Sequence, residues 1–326
     1  MISIYQGDCV EVMRKFSPTH YDMCVTSPPY WGLRDYGVDG QIGLEDDIYI
    51  FVEKIVEVMR EVKRVLRDDG TLWLNMGDSY AMSSMRGGTK DFKWESKAGQ
   101  KGIITPRAWE ASGRDNFGYK GKSRIPAGLK AKDLMGLPWR VAFALQADGW
   151  YLRQDIIWHK PNPMPESVKD RCTKAHEYIF LFSKQPKYYC NMEAIREPIK
   201  ETNKGFIMAR ARTASGPLGG KNKHNMERRE YSEIKGANKR SVWRVTTKPV
   251  KEAHFATYPP DLIEPCILAG SRAGGAVLDP FGGSGTTGRV AEKFGRDSTL
   301  IELNPEYIEI AQKLIKRDMF NEVEIK

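Results

Sequence analysis

The sequence predicts an α/β protein with a doubly wound, mainly parallel sheet. Short apolar runs that are typical of buried strands alternate with longer segments whose apolar residues recur at helical spacing. Residues 47–66 give the clearest helical pattern, and the apolar run 71–75 follows directly. The same alternation returns in residues 133–190 and 258–316. Strands that alternate with helices favour a parallel sheet, because each helix carries the chain back to the starting edge.

The individual elements follow from the same periodicities and from the turn residues between them. Strands are predicted at 2–5, 23–26, 71–75, 150–159, 178–183, 276–278 and 298–302. Helices are predicted at 47–66, 138–147, 259–269, 285–294 and 305–315, and a proline stands near the start of several of them.

Composition excludes several classes of protein. The chain has 326 residues, of which 40% are hydrophobic and 29% charged, and no run approaches the roughly 18 apolar residues of a membrane span. Its first eight residues lack the basic and apolar regions of a signal peptide. The five cysteines are scattered without a CxxC pair, which favours reduced thiols in the cytoplasm. We therefore expect a cytoplasmic protein with no membrane segment and no metal site.

Positive charge is concentrated in two segments. The net charge is +9, but residues 84–132 carry +8 and residues 199–251 carry +10, so the remaining chain is acidic. Both segments are rich in Gly, Ser and Asn, and we expect surface loops or a small irregular subdomain there. Contact with a phosphate backbone is the favoured interpretation, and solvated insertions are the alternative. The predicted core is then divided into residues 1–83, 133–198 and 252–326.

The most conspicuous motif is a glycine-rich turn between a predicted strand and a predicted helix. It comprises Asp279-Pro280-Phe281-Gly282-Gly283-Ser284-Gly285-Thr286-Thr287-Gly288. Glycines at 283, 285 and 288 fit G-x-G-x-x-G, and Glu302 ends the next strand, where a carboxylate can accept both ribose hydroxyls. This pattern alone also fits a nicotinamide or flavin nucleotide. Asp279, however, would be a poor neighbour for a pyrophosphate and a good one for the cationic amino-acid part of S-adenosylmethionine.

A second motif, Thr26-Ser27-Pro28-Pro29-Tyr30-Trp31-Gly32, follows the strand 23–26. It therefore lies at the carboxyl end of a strand, where open α/β sheets bind ligands. The two prolines fix the backbone and remove two N–H donors, so carbonyl oxygens and the Ser27 hydroxyl are left as acceptors. Tyr30 and Trp31 supply flat faces. Acceptors beside an aromatic face suit the exocyclic amino group of a base that has left the duplex stack.

With both motifs present, the chain resembles the amino-methylating DNA methyltransferases of the permuted β group. Residues 26–30 look like the catalytic motif of that group, and residues 279–287 look like its cofactor loop. The resemblance spans residues 1–80, 134–190 and 254–316. It implies a Rossmann-like S-adenosylmethionine methyltransferase fold that is circularly permuted, with basic target-recognition insertions.

The resemblance assigns further positions one by one. Asp8, after the first strand, matches an Asp that meets the cofactor's adenine amino group, and Glu302 matches the acidic residue on the ribose. Asp279, Pro280, Phe281, Gly283, Ser284, Gly285, Thr286 and Thr287 complete the expected cofactor site. Ser27, Pro28, Pro29 and Tyr30 are the expected catalytic residues. Residues 254–259 resemble an element that packs on the methionine part. Residues 158–162 and His176-Glu177 also fit the family, with roles that the resemblance leaves open.

The implied activity is transfer of a methyl group from S-adenosylmethionine to N4 of cytosine in double-stranded DNA, after base flipping. A Ser before Pro-Pro-Tyr favours cytosine in this family, and N6 of adenine is the alternative. An RNA substrate, a nucleotide-dependent oxidoreductase and a catalytically silent DNA-binding protein are the more distant alternatives. A cognate restriction endonuclease and a second copy in a homodimer are partners that the resemblance suggests. The recognition sequence stays open.

Overall fold

A computed structural model of the chain describes residues 1–33, 36–81, 92–95, 101–104, 125–126, 128–198, 236–247, 258–319 and 323–326. Its helices are α1 (Cys9–Met13), α2 (Ile48–Val65), α3 (Leu137–Ala147), α4 (Pro260–Gly270), α5 (Thr286–Lys293) and α6 (Pro305–Met319). Its strands are β1 (Ile2–Gln6), β2 (Tyr21–Thr26), β3 (Leu66–Met76), β4 (Phe92–Glu95), β5 (Lys101–Ile104), β6 (Tyr151–His159), β7 (His176–Ser183), β8 (Val242–Arg244), β9 (Ala276–Asp279), β10 (Asp297–Glu302) and β11 (Val323–Ile325).

Nine of the described strands form one mixed, mostly parallel sheet in the order β11-β1-β10-β9-β2-β3-β7-β6-β8. Only β7 runs against its two neighbours, β3 and β6, among these strands. The doubly wound, mainly parallel α/β prediction is confirmed, and all three predicted core segments contribute strands to this sheet.

Helices cover both faces of the sheet, and neighbouring residues of one strand serve opposite faces. Cys24 of β2 is buried in the cluster that contains α2 and α3, whereas Met23 and Val25 are buried in the cluster that contains α4. This alternation follows from the period of two in a strand. It explains why the central strands are apolar without a polar face, since parallel strands with helices on both sides never reach water.

Helix α2 shows why the helical prediction was accurate. Phe51, Ile55, Met59 and Val62 recur on one face and are fully buried. Asp47 caps the first turn by accepting a hydrogen bond from the Tyr49 amide at 2.7 Å. Basic residues occupy the last turn, where they complement the helix dipole. The predicted helix 47–66 is thus confirmed to within a residue at each end.

Differences from the predicted elements are confined to short or irregular segments. Strand β3 begins at Leu66 rather than at 71, and its pairing with β2 shifts register between Tyr21 and Met23. Helix α1 and strands β8 and β11 were not predicted, because three to five residues are too few to show a period.

The two basic segments, 84–132 and 199–251, lie mostly outside the described residues. In the first, β4 and β5 pair antiparallel as a separate sheet. In the second, β8 is a short edge strand parallel to β6, so these three residues belong to the main sheet. The expectation of surface loops or a small irregular subdomain for the rest of both segments stays a prediction. Trp243 of β8 is buried and stacks on Trp73 of β3, with ring centroids 6.5 Å apart. Among the described residues, no helix has the length and apolar character that crossing a membrane requires.

Candidate active site

A cleft of about 660 Å³ opens at the edge of the sheet where the carboxyl ends of the parallel strands meet. Both predicted motifs line it. The strand order divides the lining into two halves: loops after β1, β9 and β10 form one, and residues at the ends of β3, β6 and β7 form the other. Residues 27–30, which follow β2, lie between the two halves because β2 lies between β9 and β3.

The glycine-rich turn forms the floor of the first half. Gly283 and Gly285 have φ of +49° and +75°, which L side chains rarely adopt. A Cβ on Gly285 would also lie 3.1 Å from Ala311 of α6, so this helix packs against bare backbone. At Gly283 the surroundings are open, apart from one carbonyl oxygen at 3.9 Å, so the backbone is accessible from the cleft.

Glu302 ends β10 and fixes the turn to the sheet. One carboxylate oxygen accepts a hydrogen bond from the Gly283 amide at 2.8 Å, and the other accepts from the Asn304 amide at 2.9 Å. Burial raises the pKa of Glu302, although these two amides partly offset the rise. Each carboxylate oxygen can accept two hydrogen bonds, so both retain capacity for a diol in the cleft. The predicted ribose contact is compatible with this geometry.

Asp8 also lines the first half of the cleft and begins α1. Its Oδ1 accepts hydrogen bonds from the Val10 and Glu11 amides at 2.9 and 3.0 Å, as an N-cap residue does. Gly7, Asp8, Phe281 and Ile301 line this part of the cleft. Apolar walls with one carboxylate suit a planar ring that carries an amino group.

Asp279 lies beneath the cleft rather than in its wall. It is 1% exposed, and its carboxylate accepts hydrogen bonds from three hydroxyls, those of Thr26 (2.6 Å), Tyr258 (2.9 Å) and Thr287 (2.5 Å), and from the Phe281 amide (3.1 Å). Burial raises its pKa, and the four donors counter that rise. Asp279 therefore joins the end of β2 to the glycine-rich turn.

The Ser27–Tyr30 segment projects into the middle of the cleft. Ser27, Pro28, Pro29 and Tyr30 all line it. Trp31 does not, contrary to the expectation that it supplies a flat face: it is 4% exposed, and its indole nitrogen donates to the Glu45 carbonyl at 2.8 Å. The chain turns inward after Tyr30, so only one of the two aromatic rings reaches the cleft.

Tyr30 is bonded to the second half of the cleft. Its hydroxyl donates to Glu177 Oε2 at 2.9 Å, and Lys160 forms an ion pair with the other oxygen of the same carboxylate. Burial, followed by the charge of Glu177, raises the pKa of Tyr30 well above its usual value, and the Ser27 side chain partly offsets that rise. Tyr30 is thus a neutral hydrogen-bonded phenol at neutral pH.

The structure brings most of the predicted site residues together. Lining the cleft are Asp8, Ser27, Pro28, Pro29, Tyr30, Pro280, Phe281, Gly283, Ser284, Thr286 and Glu302. Three others, Asp279, Gly285 and Thr287, lie below it and support the turn. Of residues 254–259, only Tyr258 and Pro259 are described. Tyr258 lines the cleft, donates to Asp279 and has its hydroxyl 2.5 Å from that of Thr287. Within the described part of the chain, no group of His, Cys, Asp or Glu is arranged to hold a metal ion.

Asn75, Lys160 and Glu177 also line the cleft, although sequence reasoning gave them no role. Asn75 Nδ2 donates to the Tyr178 carbonyl at 3.1 Å and lies 3.4 Å from Glu177 Oε2. Glu177 lies beyond the connection that follows β6, so its approach to Tyr30 depends on the pairing of β6 with β7. For Lys160 and Glu177 the available sign was that residues 158–162 and His176-Glu177 fit the family, with their roles left open.

Comparison with known proteins defines the family. The model of the DNA methylase family that covers N6 and N4 methyltransferases matches residues 21–313. The type II methyltransferase M.Cfr9I of Citrobacter freundii is 43% identical over 99% of this chain and 90% of its own length. M.SmaI of Serratia marcescens is 45% identical over 96% and 90%. The chain therefore belongs to the N6/N4 DNA methylase family, and S-adenosylmethionine is its cofactor.

Solved structures share the fold at low sequence identity. The PvuII DNA methyltransferase, described as cytosine-N4-specific, has a TM-score of 0.60 and 18% identity over 99% of this chain and 94% of its own. TTHA0409 of Thermus thermophilus, in complex with S-adenosyl-L-methionine, has a TM-score of 0.56 and 22% identity, with complete coverage of both chains. These structures confirm the Rossmann-like methyltransferase fold.

Proposed function

We propose that the chain methylates the exocyclic N4 of cytosine in double-stranded DNA at a specific sequence, after the base has flipped out of the helix. The observation that carries this proposal is the position of Ser27 and Tyr30 between the two halves of one cleft. The first half holds the cofactor through Glu302, Asp8 and the glycine-rich turn. The second half is the space left for a base.

The first half fits S-adenosylmethionine on its own geometry. Gly283 leaves backbone open to the cleft, and the buried Glu302 carboxylate retains acceptor capacity for ribose hydroxyls. When bound, the cofactor supplies an electrophilic methyl group. Because Asp279 is saturated by four donors beneath the floor, we propose that it supports the turn and acts on the cofactor through its buried negative charge.

The Ser27–Tyr30 segment solves a specific chemical problem. The lone pair of an exocyclic amino group is delocalised into the ring, so the nitrogen is a poor nucleophile. Two acceptors on its N–H bonds, Ser27 Oγ and the Pro28 carbonyl, favour a tetrahedral nitrogen whose lone pair points toward the first half of the cleft. Tyr30 provides the face on which the flipped ring stacks. Catalysis then rests on positioning and on acceptors that meet developing positive charge.

N6 of adenine is the alternative target, because a serine can accept from either amino group. Ser27 before Pro28-Pro29-Tyr30 supports cytosine, as does the likeness in fold to a cytosine-N4-specific enzyme. The deciding experiment incubates the protein with labelled S-adenosylmethionine and either genomic DNA or total RNA, then digests the nucleic acid to nucleosides for mass analysis. N4-methylcytosine is expected. N6-methyladenine would overturn the target base, and label in RNA alone would overturn DNA as the substrate.

DNA binding is assigned to the two basic segments, 84–132 and 199–251. Their combined excess of positive charge suits the phosphate backbone, while the acidic remainder of the chain does not. We propose that 199–251, with help from 84–132, reads base edges in the major groove. Arg244, at the end of β8, is exposed beside the β6 strand that leads to the cleft, so the described part of this segment is close to the second half.

Two partners besides DNA follow from the family. M.Cfr9I and M.SmaI are named type II methyltransferases, and this supports a cognate restriction endonuclease that cuts the same sequence when it is unmethylated. A homodimer and the circular permutation remain predictions. Support for the permutation is that β1, which precedes the Asp8 turn, pairs in parallel with β10, which ends at Glu302.

A further inference from the structure

A chain of hydrogen bonds runs from the centre of the cleft into its second half. The Tyr30 hydroxyl donates to Glu177 Oε2 at 2.9 Å, and Lys160 pairs with Glu177 Oε1. Ser27 lies three residues before Tyr30 in the same segment, and its side chain lowers the pKa of Tyr30. All four residues line the cleft. They come from the ends of three strands, β2, β6 and β7, so the fold and not the local sequence assembles them.

The Glu177 carboxylate, at the end of this series of hydrogen bonds, determines which group donates in each bond. The Glu177 carboxylate forms an ion pair with Lys160, and a carboxylate can only accept hydrogen bonds. The Tyr30 proton must therefore point at Glu177. Tyr30 Oη is then left with lone pairs alone, so a hydrogen bond between the two hydroxyls must use the Ser27 proton. Ser27 Oγ in turn presents lone pairs alone to the cleft, which is the polarity that an amino group requires.

The packing around Tyr30 indicates that this arrangement is tightly constrained. Gly77, at the end of β3, has no side chain, and a Cβ there would lie 2.8 Å from Tyr30 Cε2 and 3.2 Å from the Glu177 carboxyl carbon. The ammonium of Lys160 lies 4.2 Å from the centroid of the Trp158 ring, which holds the lysine in place as a cation–π contact. Tyr30 and Glu177 thus have little freedom to separate.

We propose that Glu177 is a positioning residue for methyl transfer, acting through Tyr30 to hold Ser27 as an acceptor and to receive the proton that the amino group loses. This inference rests on the proposed function. Methylation leaves the base with one proton in excess. An N–H bond of the amino group breaks as an O–H bond forms at Ser27. The Ser27 proton moves to Tyr30, the Tyr30 proton moves to Glu177, and the carboxylic acid so formed releases its proton to solvent.

The test compares Glu177→Gln, Tyr30→Phe and the double variant. In Glu177→Gln, Lys160 holds the amide oxygen, so the amide NH₂ faces Tyr30. Tyr30 must then accept from this amide and donate to Ser27, which reverses the direction of each hydrogen bond. Ser27 consequently points its proton into the cleft. Single-turnover methylation at saturating DNA and S-adenosylmethionine should fall about 100-fold, within the usual range for a lost proton-transfer group. Cofactor affinity, measured by calorimetry, should be unchanged. Phenylalanine at 30 removes the connection itself and should slow the reaction less.

The double variant distinguishes two roles for Glu177: transfer of protons through Tyr30, which we call the relay, and a purely structural role. If Glu177 acts through Tyr30, its substitution adds less than about a twofold loss once Tyr30→Phe has cut the connection. Glu61→Gln is the matched control: Glu61 accepts from Arg64 at 2.8 Å, its side chain is 20% exposed against 16% for Glu177, and it lies on α2 outside the cleft. It should retain the wild-type rate.

Two results would overturn the relay: an unchanged single-turnover rate in Glu177→Gln, or losses in the two single variants that multiply in the double variant. Both are measured with whichever base the wild-type protein methylates, so an adenine product would overturn the proposed target and leave the relay testable. A wild-type protein that transfers no methyl group to DNA would overturn both proposals.

Discussion

The Thr26 hydroxyl donates to Asp279 Oδ1 at 2.6 Å, across 253 residues of sequence. Thr26 is the last residue before the Ser27–Tyr30 segment, and Asp279 is the first residue of the glycine-rich turn. This bond and the three others at Asp279 hold the two predicted motifs at a fixed separation. Methyl transfer needs such a separation, because misplacement by about an ångström can cost roughly two orders of magnitude in rate.

Replacing Asp279 should distinguish its hydrogen bonds from its charge. Asp279→Ala leaves at least three buried donors without an acceptor, since only one of the Tyr258 and Thr287 hydroxyls can then donate to the other, and it should lower the free energy of unfolding by about 3 kcal/mol or more. Asp279→Asn should cost less, because the Tyr258 and Thr287 hydroxyls can rotate to accept from the amide. Urea unfolding of both variants measures the difference. Equal losses would show that the individual hydrogen bonds do not matter here.

The pH dependence of the Asp279→Asn comparison has a definite sign. Burial raises the pKa of Asp279, and an acid whose pKa is raised on folding favours the native state most when it is protonated. The stability of the wild type relative to Asp279→Asn should therefore fall as the pH rises from about 3 toward 7. If the relative stability of the wild type instead increased over that interval, the four donors would lower the pKa of Asp279 by more than burial raises it.

Substitutions of Glu302 should weaken cofactor binding without changing the structure of the second half of the cleft. Glu302→Gln should weaken S-adenosylmethionine binding about 10-fold and Glu302→Ala about 100-fold, as expected for lost hydrogen bonds to a charged group. Because the pKa of Glu302 is raised by burial, wild-type affinity should decline as the pH falls through that pKa, and the Gln variant should not follow. Calorimetric titration measures both. Glu309→Gln, exposed on α6, is the control.

A pair of glycines separates backbone strain from steric contact. Gly285 and Gly295 have φ of +75° and +69°, but a Cβ would meet Ala311 and Ile315 at 3.1 Å only at Gly285. Gly295→Ala should cost about 1–2 kcal/mol from its backbone conformation alone. Gly285→Ala should cost roughly 1–3 kcal/mol more and weaken cofactor binding, because α6 must shift. Thermal unfolding and calorimetry test this; equal costs would exclude the steric term.

Gly77→Ala should impair the second half of the cleft alone. The added methyl group would displace Tyr30 and Glu177, so we expect the rate of methyl transfer to fall at least about 10-fold. Gly77 does not belong to the cofactor half, so the dissociation constant for S-adenosylmethionine should match that of the wild type. A rate equal to the wild type would show that Tyr30 tolerates displacement, whereas weaker cofactor binding would show that the two halves are coupled.

Binding of DNA by the basic segments predicts a steep dependence on salt. The logarithm of the association constant should fall linearly with the logarithm of salt concentration, and Lys221→Gln and Lys223→Gln should each reduce the slope by about one. Fluorescence anisotropy on a duplex measures it. Lys313→Gln, exposed on α6, should leave the slope unchanged. Unaltered slopes in the first two variants would place the phosphate contacts elsewhere.

How much of the site could be predicted depended on how local each feature is. The glycine-rich turn and the Ser27–Tyr30 segment are contiguous, and each follows a strand, so their positions at the edge of the sheet could be inferred. The residues Lys160 and Glu177 could not be assigned, because only the antiparallel direction of β7 brings them together. The sequence predicted a parallel sheet in general, and hydrophobic periodicity carries no information on which strand is reversed.

Trp31 and Asp279 show a second limit. Residue type and position at a strand end indicate proximity to the cleft but not the direction of a side chain. Trp31 turns into the core to bond with the Glu45 carbonyl, and Asp279 turns beneath the floor to meet four donors. In both cases a hydrogen-bond partner elsewhere in the sequence determines the direction of the side chain, and no local pattern reveals such a partner.

The β6–β7 hairpin has two parts that differ in structure: a stem of paired strands, and a tip formed by residues 161–174 between them. Its stem is locked by the pairing of Trp158 with Glu177 and closed by the Lys160 amide, which donates to the Ala175 carbonyl at 2.8 Å. Its tip carries Met164, which is 86% exposed at the cleft rim. Substitutions in the tip can therefore accumulate without moving the charged pair in the stem. The rim of the cleft can therefore change in shape and polarity while the ion pair beneath it keeps its geometry.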